Sequence, residues 1–486
     1  MLKQRALHAT LWSGIDVFSR QGVQFLVALI LARFLSAEEF GTFGLLFLFT
    51  GIASIFVDGG FSAALIQRQD IDQTDESTVF WFNLFMGAIV TILLYSIAPG
   101  IAAFYGQPIL QPLLTLMALN VFLGAIGAIH GSLLTKRLDF VTQMKVGVIS
   151  VFVSGSVAVL MAWNGYGVWA LATQAIVMTG ASTTLLWLLN RWRPTLEFSR
   201  NSVSKLLGFG GYHFASILMD VIYSRLYTVL IGKFYSVRDL GYYTNADTTQ
   251  QMPSGVLVKI LSRVAFPMLS SASDDKVKMR RGMQLAIRGA MLVNVPMMLG
   301  MFAVSDPLVR VLFGIKWLPA VPLLRVLCLA GLLLPLHALN LNCLMAQGHS
   351  RLMFRLESFK KMIGLVLLGA GAYFGVMGVA WAMVAFSGVG LILNAHYTKR
   401  FLDYGVFAQT RDFLPILISG ILMAAIIFPI ATMWQSPPAI KLIGLVAIGI
   451  VVFLGIVLTA RLKAASDVLS LFYRSPSIVT RNEDQP

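Results

Sequence analysis

Charge is what this sequence has least of. Asp, Glu, Lys and Arg together make up 12% of its 486 residues, against roughly 25% in an ordinary soluble domain, while 57% is apolar. A water-facing globular surface is excluded, and so is a string of soluble domains, because the polar stretches between apolar runs are short. Cysteine is nearly absent: Cys328 and Cys343 are the only two. They fall on one apolar stretch, about 22 Å apart at 1.5 Å per helical residue, which is beyond disulfide reach. Catalytic signatures are missing as well. The sequence holds no nucleophile elbow, Walker A loop, zinc-ligand pair at helical spacing or dinucleotide fingerprint. Gly208-Phe209-Gly210-Gly211 opens an apolar stretch instead of following a strand, which suits close helix packing. These absences argue against an enzyme, against ATP hydrolysis on this chain and against any cofactor or metal site, and leave Na+ or H+ coupling as the available ion chemistry.

What the chain does have is apolar runs of membrane-spanning length, about 20 residues each. Residues 79–103, 146–163, 168–189 and 440–460 each supply such a mostly apolar run. Weaker runs, several of them carrying charges, lie at 11–35, 40–66, 110–134, 206–231, 240–267, 285–304, 321–346, 353–374, 376–397 and 413–433. The expectation is an all-α integral membrane protein with about 14 transmembrane helices.

The formal net charge of +15 raises the question of nucleic acid, and the placement of the cations answers it. Alternate connections carry Lys136, Arg137 and Lys145; Arg191, Arg193, Arg200 and Lys205; Lys276, Lys278, Arg280 and Arg281; Arg351, Arg355, Lys360 and Lys361; and Lys399 and Arg400. The intervening loops hold only Arg33, Lys233 and Arg238, Arg310 and Lys316, and Lys441. That asymmetry follows the positive-inside rule and places both termini in the cytoplasm. The basic charge then meets anionic lipid headgroups, and no nucleic acid is expected. Lys3 and Arg5 precede an apolar stretch that contains Asp16 and Arg20 and is too long for a signal-peptide core.

A repeat organises the chain. Ala-Arg-Phe-Leu-Ser-Ala-Glu-Glu-Phe-Gly-Thr-Phe from Ala32 returns 200 positions on, from Gly232, as Gly-Lys-Phe-Tyr-Ser-Val-Arg-Asp-Leu-Gly-Tyr-Tyr. Phe34, Ser36 and Gly41 recur as Phe234, Ser236 and Gly241, and Glu39 recurs as Asp239. A fainter echo joins 104–140 with 313–354, where Pro112-Leu113-Leu114 answers Pro322-Leu323-Leu324. With six helices between copies, both halves enter the bilayer from the same side as parallel repeats. The expected divisions are a six-helix lobe over 1–190, a cytoplasmic linker over 191–205, a second six-helix lobe over 206–400, an extra helix pair over 401–460 and a cytoplasmic tail over 461–486.

Ionised side chains inside spans are the leads to a site, since each is unfavourable by roughly 2.5–3.5 kcal/mol at mid-bilayer and usually faces a protein cavity. They are Asp16 and Arg20, Asp58, Asp220 and Arg225, and Asp247, Lys259 and Arg263. Asp16 and Arg20 stand one helical turn apart and can neutralise each other. The ungapped repeat sets Arg20 opposite Asp220 and suggests a bond between lobes; a gap that aligns the segment from Asp16 to Arg20 with that from Asp220 to Arg225 makes the two arginines equivalents instead. His130, His213 and His337 also fall in spans, where packing is the commoner role and proton relay the rarer one. Trp163, Trp169, Trp187 and Trp192 near span ends suit interfacial anchoring.

Three segments resemble a known family: Phe-Leu-Ser-Ala-Glu-Glu-Phe-Gly at Phe34 to Gly41, Asp58-Gly59-Gly60-Phe61-Ser62-Ala63-Ala64-Leu65-Ile66-Gln67, and Arg263-Val264-Ala265-Phe266-Pro267. They are similar to the polysaccharide-export branch of the multidrug/oligosaccharidyl-lipid/polysaccharide superfamily, the Wzx-type flippases. The resemblance implies two six-helix bundles in a V plus a C-terminal helix pair, in the cytoplasmic (inner) membrane, with alternating access to a central cationic cavity. Its implied cargo is an undecaprenyl-diphosphate oligosaccharide carried to the outer leaflet for exopolysaccharide, capsule or O-antigen synthesis, beside a polysaccharide polymerase and a chain-length regulator. Arginine's planar fork suits a diphosphate, so Arg20 and Arg225 are the expected substrate ligands. Asp16, Asp58, Asp220 and Asp247 are the expected ion-coupling or gating groups. An ion-coupled multidrug exporter of the same superfamily is the alternative, though such a cavity favours acidic residues. A polymerase or ligase would need a large outward loop, and every such loop here is short.

Overall fold

The computed structural model describes residues 21–68 and 70–467, without the side chains of 207–210, 212, 213 and 350, and every regular element among them is a helix. The described part of the first helix is α1 (Gln21–Phe34). It is followed by α2 (Ala37–Asp58), α3 (Phe61–Gln67), α4 (Gln73–Tyr105), α5 (Leu110–Lys136), α6 (Phe140–Trp163), α7 (Val168–Leu189), α8 (Arg200–Ser224), α9 (Leu226–Phe234) and α10 (Val237–Ser270). Then come α11 (Lys276–Ala303), α12 (Ser305–Leu312), a 3-10 turn (Ile315–Ala320), α13 (Val321–Gly331), α14 (Leu334–Ala346), α15 (Ser350–Tyr373), α16 (Gly375–Leu402), α17 (Val406–Met433) and α18 (Pro438–Thr459). Hydrocarbon offers the backbone no partner, so each span closes its hydrogen bonds within itself.

Twelve stretches among the described residues are long and apolar enough to cross a bilayer. The two runs of the sequence reading outside that number are 11–35, of which only α1 is described, and 353–374, which is α15. The latter carries Glu357, Lys360 and Lys361 inside the helix rather than in a connection, and both lysines are buried. Cys328 and Cys343 are both buried and free; they sit on α13 and α14, which a turn at Leu332 and Leu333 separates.

By contacts the chain forms two compact units, Met1–Thr244 and Asn245–Pro486. The first has several small cores: Val27, Leu31, Ala158 and Leu171 join α1, α6 and α7, while Ala53, Val90, Val121 and Ala125 join α2, α4 and α5. A large core in the second runs from Met283, Ile287 and Met291 of α11 to Met423 of α17 and Phe453 of α18.

The repeated turn shows why its residues recur. Ser36 caps α2: its hydroxyl accepts from the Glu39 amide, and Glu39 accepts in return from the Ser36 amide at 2.6 Å. At the second copy the Ser236 hydroxyl accepts from the Asp239 amide at 3.0 Å and donates to the Asp239 carboxylate at 2.6 Å. Both satisfy helix N–H groups that hydrocarbon cannot. The glycines meet each other's helices. A Cβ on Gly41 would lie 1.8 Å from the Val237 carbonyl oxygen, and one on Gly241 would lie 1.7 Å from that of Ala37. Residues 37 and 41 therefore face 237 and 241 reciprocally, so the ungapped 200-residue offset is a local two-fold relation within the first unit.

The segment after α7 is strapped to the start of α4. Ser77 accepts from the Thr195 amide at 3.0 Å, Thr78 from the Ser199 amide at 3.0 Å, and the Trp81 indole donates to the Thr195 carbonyl at 2.8 Å. This strap corrects the anchor reading of two tryptophans. Trp187 and Trp192 pack with Phe80 and His130 in an interior aromatic cluster, His130 lying 4.9 Å from the Trp187 ring and 5.4 Å from that of Trp192. Trp163, 73% exposed, does suit an anchor.

Candidate functional site

Arg225 stands at a break in a membrane-spanning helix. It separates α8 from α9 with φ −103° and ψ 2°, and the Thr228 amide donates to its carbonyl at 2.9 Å, a tightened turn in place of the α-helical ladder. Neither proline nor glycine lies at this point. The guanidinium lies 4.9 Å over the ring of Phe47 of α2. Such stacking supports a cation in an apolar setting while leaving its in-plane donors available. The neighbours Ile222 and Leu226, with Leu48 and Phe104, line an apolar cavity of about 540 Å3 within the first unit. Broken helices of this kind are where transporters place polar contacts at membrane depth.

The structure does not gather the other expected residues around Arg225. Asp58 ends α2, about 16 Å along the helix from Phe47 at 1.5 Å per residue. Its carboxylate accepts from the Ser62 hydroxyl, and the Ser132 hydroxyl of α5 donates to Ser62 at 2.8 Å. Gly59 and Gly60 between α2 and α3 have φ 57° and 79°, so Asp58 and Ser62 together form a tied reversal. Asp220 is exposed on α8, about 7.5 Å along the axis from Arg225. Asp247 belongs to the second unit, buried on α10, where it accepts from the Gln251 amide group at 2.7 Å. Arg20 and Asp16 lie outside the described residues, as does the side chain of His213.

The second unit holds a polar network that the sequence reading did not assemble. Lys360 and Glu357 of α15 pair at 2.6 Å, the lysine side chain only 6% exposed. His337 of α14 is 3.1 Å from the Ser387 hydroxyl and 3.3 Å from the Asn394 amide nitrogen. Since Ser387 donates to the Ala330 carbonyl, a neutral ring protonated on Nε2 satisfies every bond. Gly390 makes room for the cluster: a Cβ there would meet the His337 ring at 3.1 Å and the Lys360 stem at 3.5 Å. Nearby, Asn340 and Gln409 exchange amide hydrogen bonds at 3.0 and 2.8 Å, and the Thr398 hydroxyl donates to Asn340 at 2.6 Å. No group of three potential metal ligands occurs among the described residues.

Residues 30–322, from the middle of α1 into α13, match the model of a family described as polysaccharide biosynthesis protein. The chain belongs to this family. It is 27% identical over 413 residues to the teichuronic acid biosynthesis protein TuaB of Bacillus subtilis (strain 168), covering 84% of this chain and 86% of that protein. It is 29% identical over 325 residues to the succinoglycan biosynthesis transport protein ExoT of Rhizobium meliloti (strain 1021), covering 67% and 66%. Among solved structures, the lipid II flippase MurJ in its inward closed conformation superposes with a TM-score of 0.77 at 17% identity, covering 96% of this chain and 99% of that one. That likeness fixes the fold: this polysaccharide biosynthesis protein is an all-α, multi-pass membrane protein of the MurJ type.

For this family member, Glu357, Asn340 and Gln409 are residues the sequence did not single out, while Lys360 stood among the basic connections and His337 among the span histidines. The signal was the i, i+3 spacing of Glu357 and Lys360 inside an otherwise apolar run, which marks a paired charge within a span rather than a connection.

Proposed function

We propose that this protein is a flippase that carries an undecaprenyl-diphosphate-linked oligosaccharide from the cytoplasmic to the outer leaflet of the inner membrane, supplying exopolysaccharide, capsule or O-antigen assembly. The observation that carries the reading is the family match over residues 30–322, in a chain with twelve candidate spans among its described residues. Support comes from a relative named for transport in succinoglycan biosynthesis and from a fold shared with a lipid II flippase. The chain is then a transporter and not an enzyme. Both termini face the cytoplasm, where the basic connections meet anionic lipids. The lobes 1–190 and 206–400 are the moving parts, and a polymerase and a chain-length regulator are the downstream partners.

In this reading Arg225 and Arg20 hold the diphosphate. Arg225 is favoured by its helix break and its stacked, half-buried guanidinium, which offers a planar fork to phosphate oxygens. Asp220 competes with the diphosphate for Arg20, while Asp16, Asp58 and Asp247 serve coupling to Na+ or H+ or gating. Cells lacking the protein should accumulate lipid-linked repeat units in the cytoplasmic leaflet and lose a surface or secreted glycan. An unchanged glycan with raised dye sensitivity would overturn the reading in favour of a drug exporter. Arg225→Ala should abolish complementation, with Arg225→Lys retaining part of it. The exchange Arg20→Asp with Asp220→Arg should recover transport relative to either single change; a double variant no better than the worse single one, yet correctly inserted, would sink the pairing.

A further inference from the structure

A polar cavity of about 490 Å3 in the second unit lies where three spanning helices end together. Ala303 closes α11, Thr432 lies one residue from the end of α17, and Pro438 opens α18, so their shared level is a membrane boundary. The basic run from Lys276 to Arg281 opens α11 at its other end, so the cavity occupies the cation-poor side.

Its lining carries three cations, Arg310, Arg325 and Lys441, and one carboxylate, Asp306. Asp306 is bound to Arg310 at 2.7 Å. The Arg325 Nε donates to the Ser305 hydroxyl at 2.8 Å, and its guanidinium lies 5.0 Å over the Phe428 ring. Neither Arg325 nor Lys441 forms an ion pair among the described residues, so the cavity holds two uncompensated positive charges. Two fixed cations in one half-enclosed space call for an anion. A guanidinium braced through Nε and its ring face keeps its terminal N–H groups for that anion.

Membership of a lipid follows from what adjoins the cavity. Val304, Leu308, Ile427 and Leu442 line an apolar groove of about 750 Å3. Each is next in sequence to a residue lining the polar cavity: Ala303, Pro307, Phe428 and Lys441. A cationic cavity at the membrane boundary, continuing along the same four helix segments into an apolar groove, matches a molecule with an anionic head and hydrocarbon chains. We propose that Arg310, Arg325 and Lys441 form a phosphate-binding site for an anionic glycerophospholipid, whose acyl chains occupy the adjoining groove. The site is built from second-unit residues alone and does not depend on the transport reading.

The test uses the purified full chain in detergent, titrated with phosphatidylglycerol and read by native mass spectrometry, with inorganic phosphate as a separate arm. Arg325→Gln combined with Lys441→Gln should weaken phosphatidylglycerol binding about tenfold or more. Arg325→Lys should give an intermediate loss, because it keeps the charge without the fork. Lys316→Gln, outside the cavity, should bind as the unmodified chain does. Lys441→Gln alone keeps the test open should the double variant fold poorly, and should still weaken binding. Equal phosphatidylglycerol affinity in all variants would overturn the site. Displacement of the lipid by inorganic phosphate at matching concentration would overturn its assignment to a lipid, since the groove would then contribute nothing.

Discussion

At Ser36 and again at Ser236 a serine caps a spanning helix, and an acidic residue three positions on, Glu39 or Asp239, closes the cap. Five positions after each serine a glycine crosses the other copy's helix. The helices that follow diverge. α2 stays apolar after its first turn until Asp58, whereas α10 runs 34 residues with Pro253 and Pro267 inside it and carries Asp247, Gln250, Gln251, Lys259 and Arg263. Duplication kept what the backbone requires, since a lost cap leaves bare N–H groups in hydrocarbon and a lost glycine drives a Cβ into a carbonyl. Side chains that line rather than build the crossing were free to change.

The largest effect should come from breaking the reciprocal crossing. Gly41→Leu or Gly241→Leu should abolish recovery of folded protein by size-exclusion chromatography. Gly41→Ala and Gly241→Ala should each cost about 3 kcal/mol, overpacking against a backbone that cannot step aside. The two losses should be equal; a benign result at one glycine would show that the two-fold relation is accidental. Next in size is a tie that belongs to the second unit. Arg288 of α11 bonds Asp412 of α17 at 2.5 Å and Asp467 at 2.8 Å, and Tyr404 donates to Asp412 at 2.6 Å. Arg288→Met removes the cation that Asp412 and Asp467 share and should cost about 3 kcal/mol, lowering the thermal midpoint. Tyr404→Phe should cost about 1 kcal/mol.

Smaller again are the caps. Ser36→Ala and Ser236→Ala should each cost about 1 kcal/mol, and a marked inequality in thermal midpoint would mean that the copies use their caps differently. The smallest effect concerns the loop after α3, whose Arg68 and Asp70 fall at Met268 and Ser270 in the 200-residue offset. Two hydrogen bonds from Arg68 hold the exposed Asp70 carboxyl down at about 2 from its ordinary 3.8. A depressed carboxyl stabilises above its ordinary value and loses that contribution as pH falls from about 4 to about 2. Asp70→Asn should therefore lower the thermal midpoint slightly above about pH 4, leave it unchanged near pH 2 and so flatten the acid limb. A shift of equal size at neutral pH in which the acid limb survives would refute the assignment.

Legibility followed the range of the interactions. The repeat was readable because Phe34, Ser36 and Gly41 recur at one fixed spacing, whereas the cap and the glycine contact behind it show only in the fold, since Gly41 meets Val237 far along the chain. The break at Arg225 was not readable, because no proline or glycine marks it and its cation is held by Phe47, far away in sequence. Trp187 and Trp192 resembled interface anchors by position, and became core only because Thr195 and Ser199 dock on α4. Lys360 was counted with the connections because its partner Glu357 lies inside the same apolar run.

The sequence by itself determined the spans and the duplicated turn, because hydrocarbon obliges every backbone group to bond locally and so writes its demands into short stretches of chain. Only the tertiary structure decided which charges are paired and which cavities they line. Arg288 finds its carboxylates 124 and 179 residues away, and Arg310, Arg325 and Lys441 converge from three helices. Such partners are chosen by how apolar helices pack, and packing among interchangeable apolar surfaces leaves no local mark in the sequence.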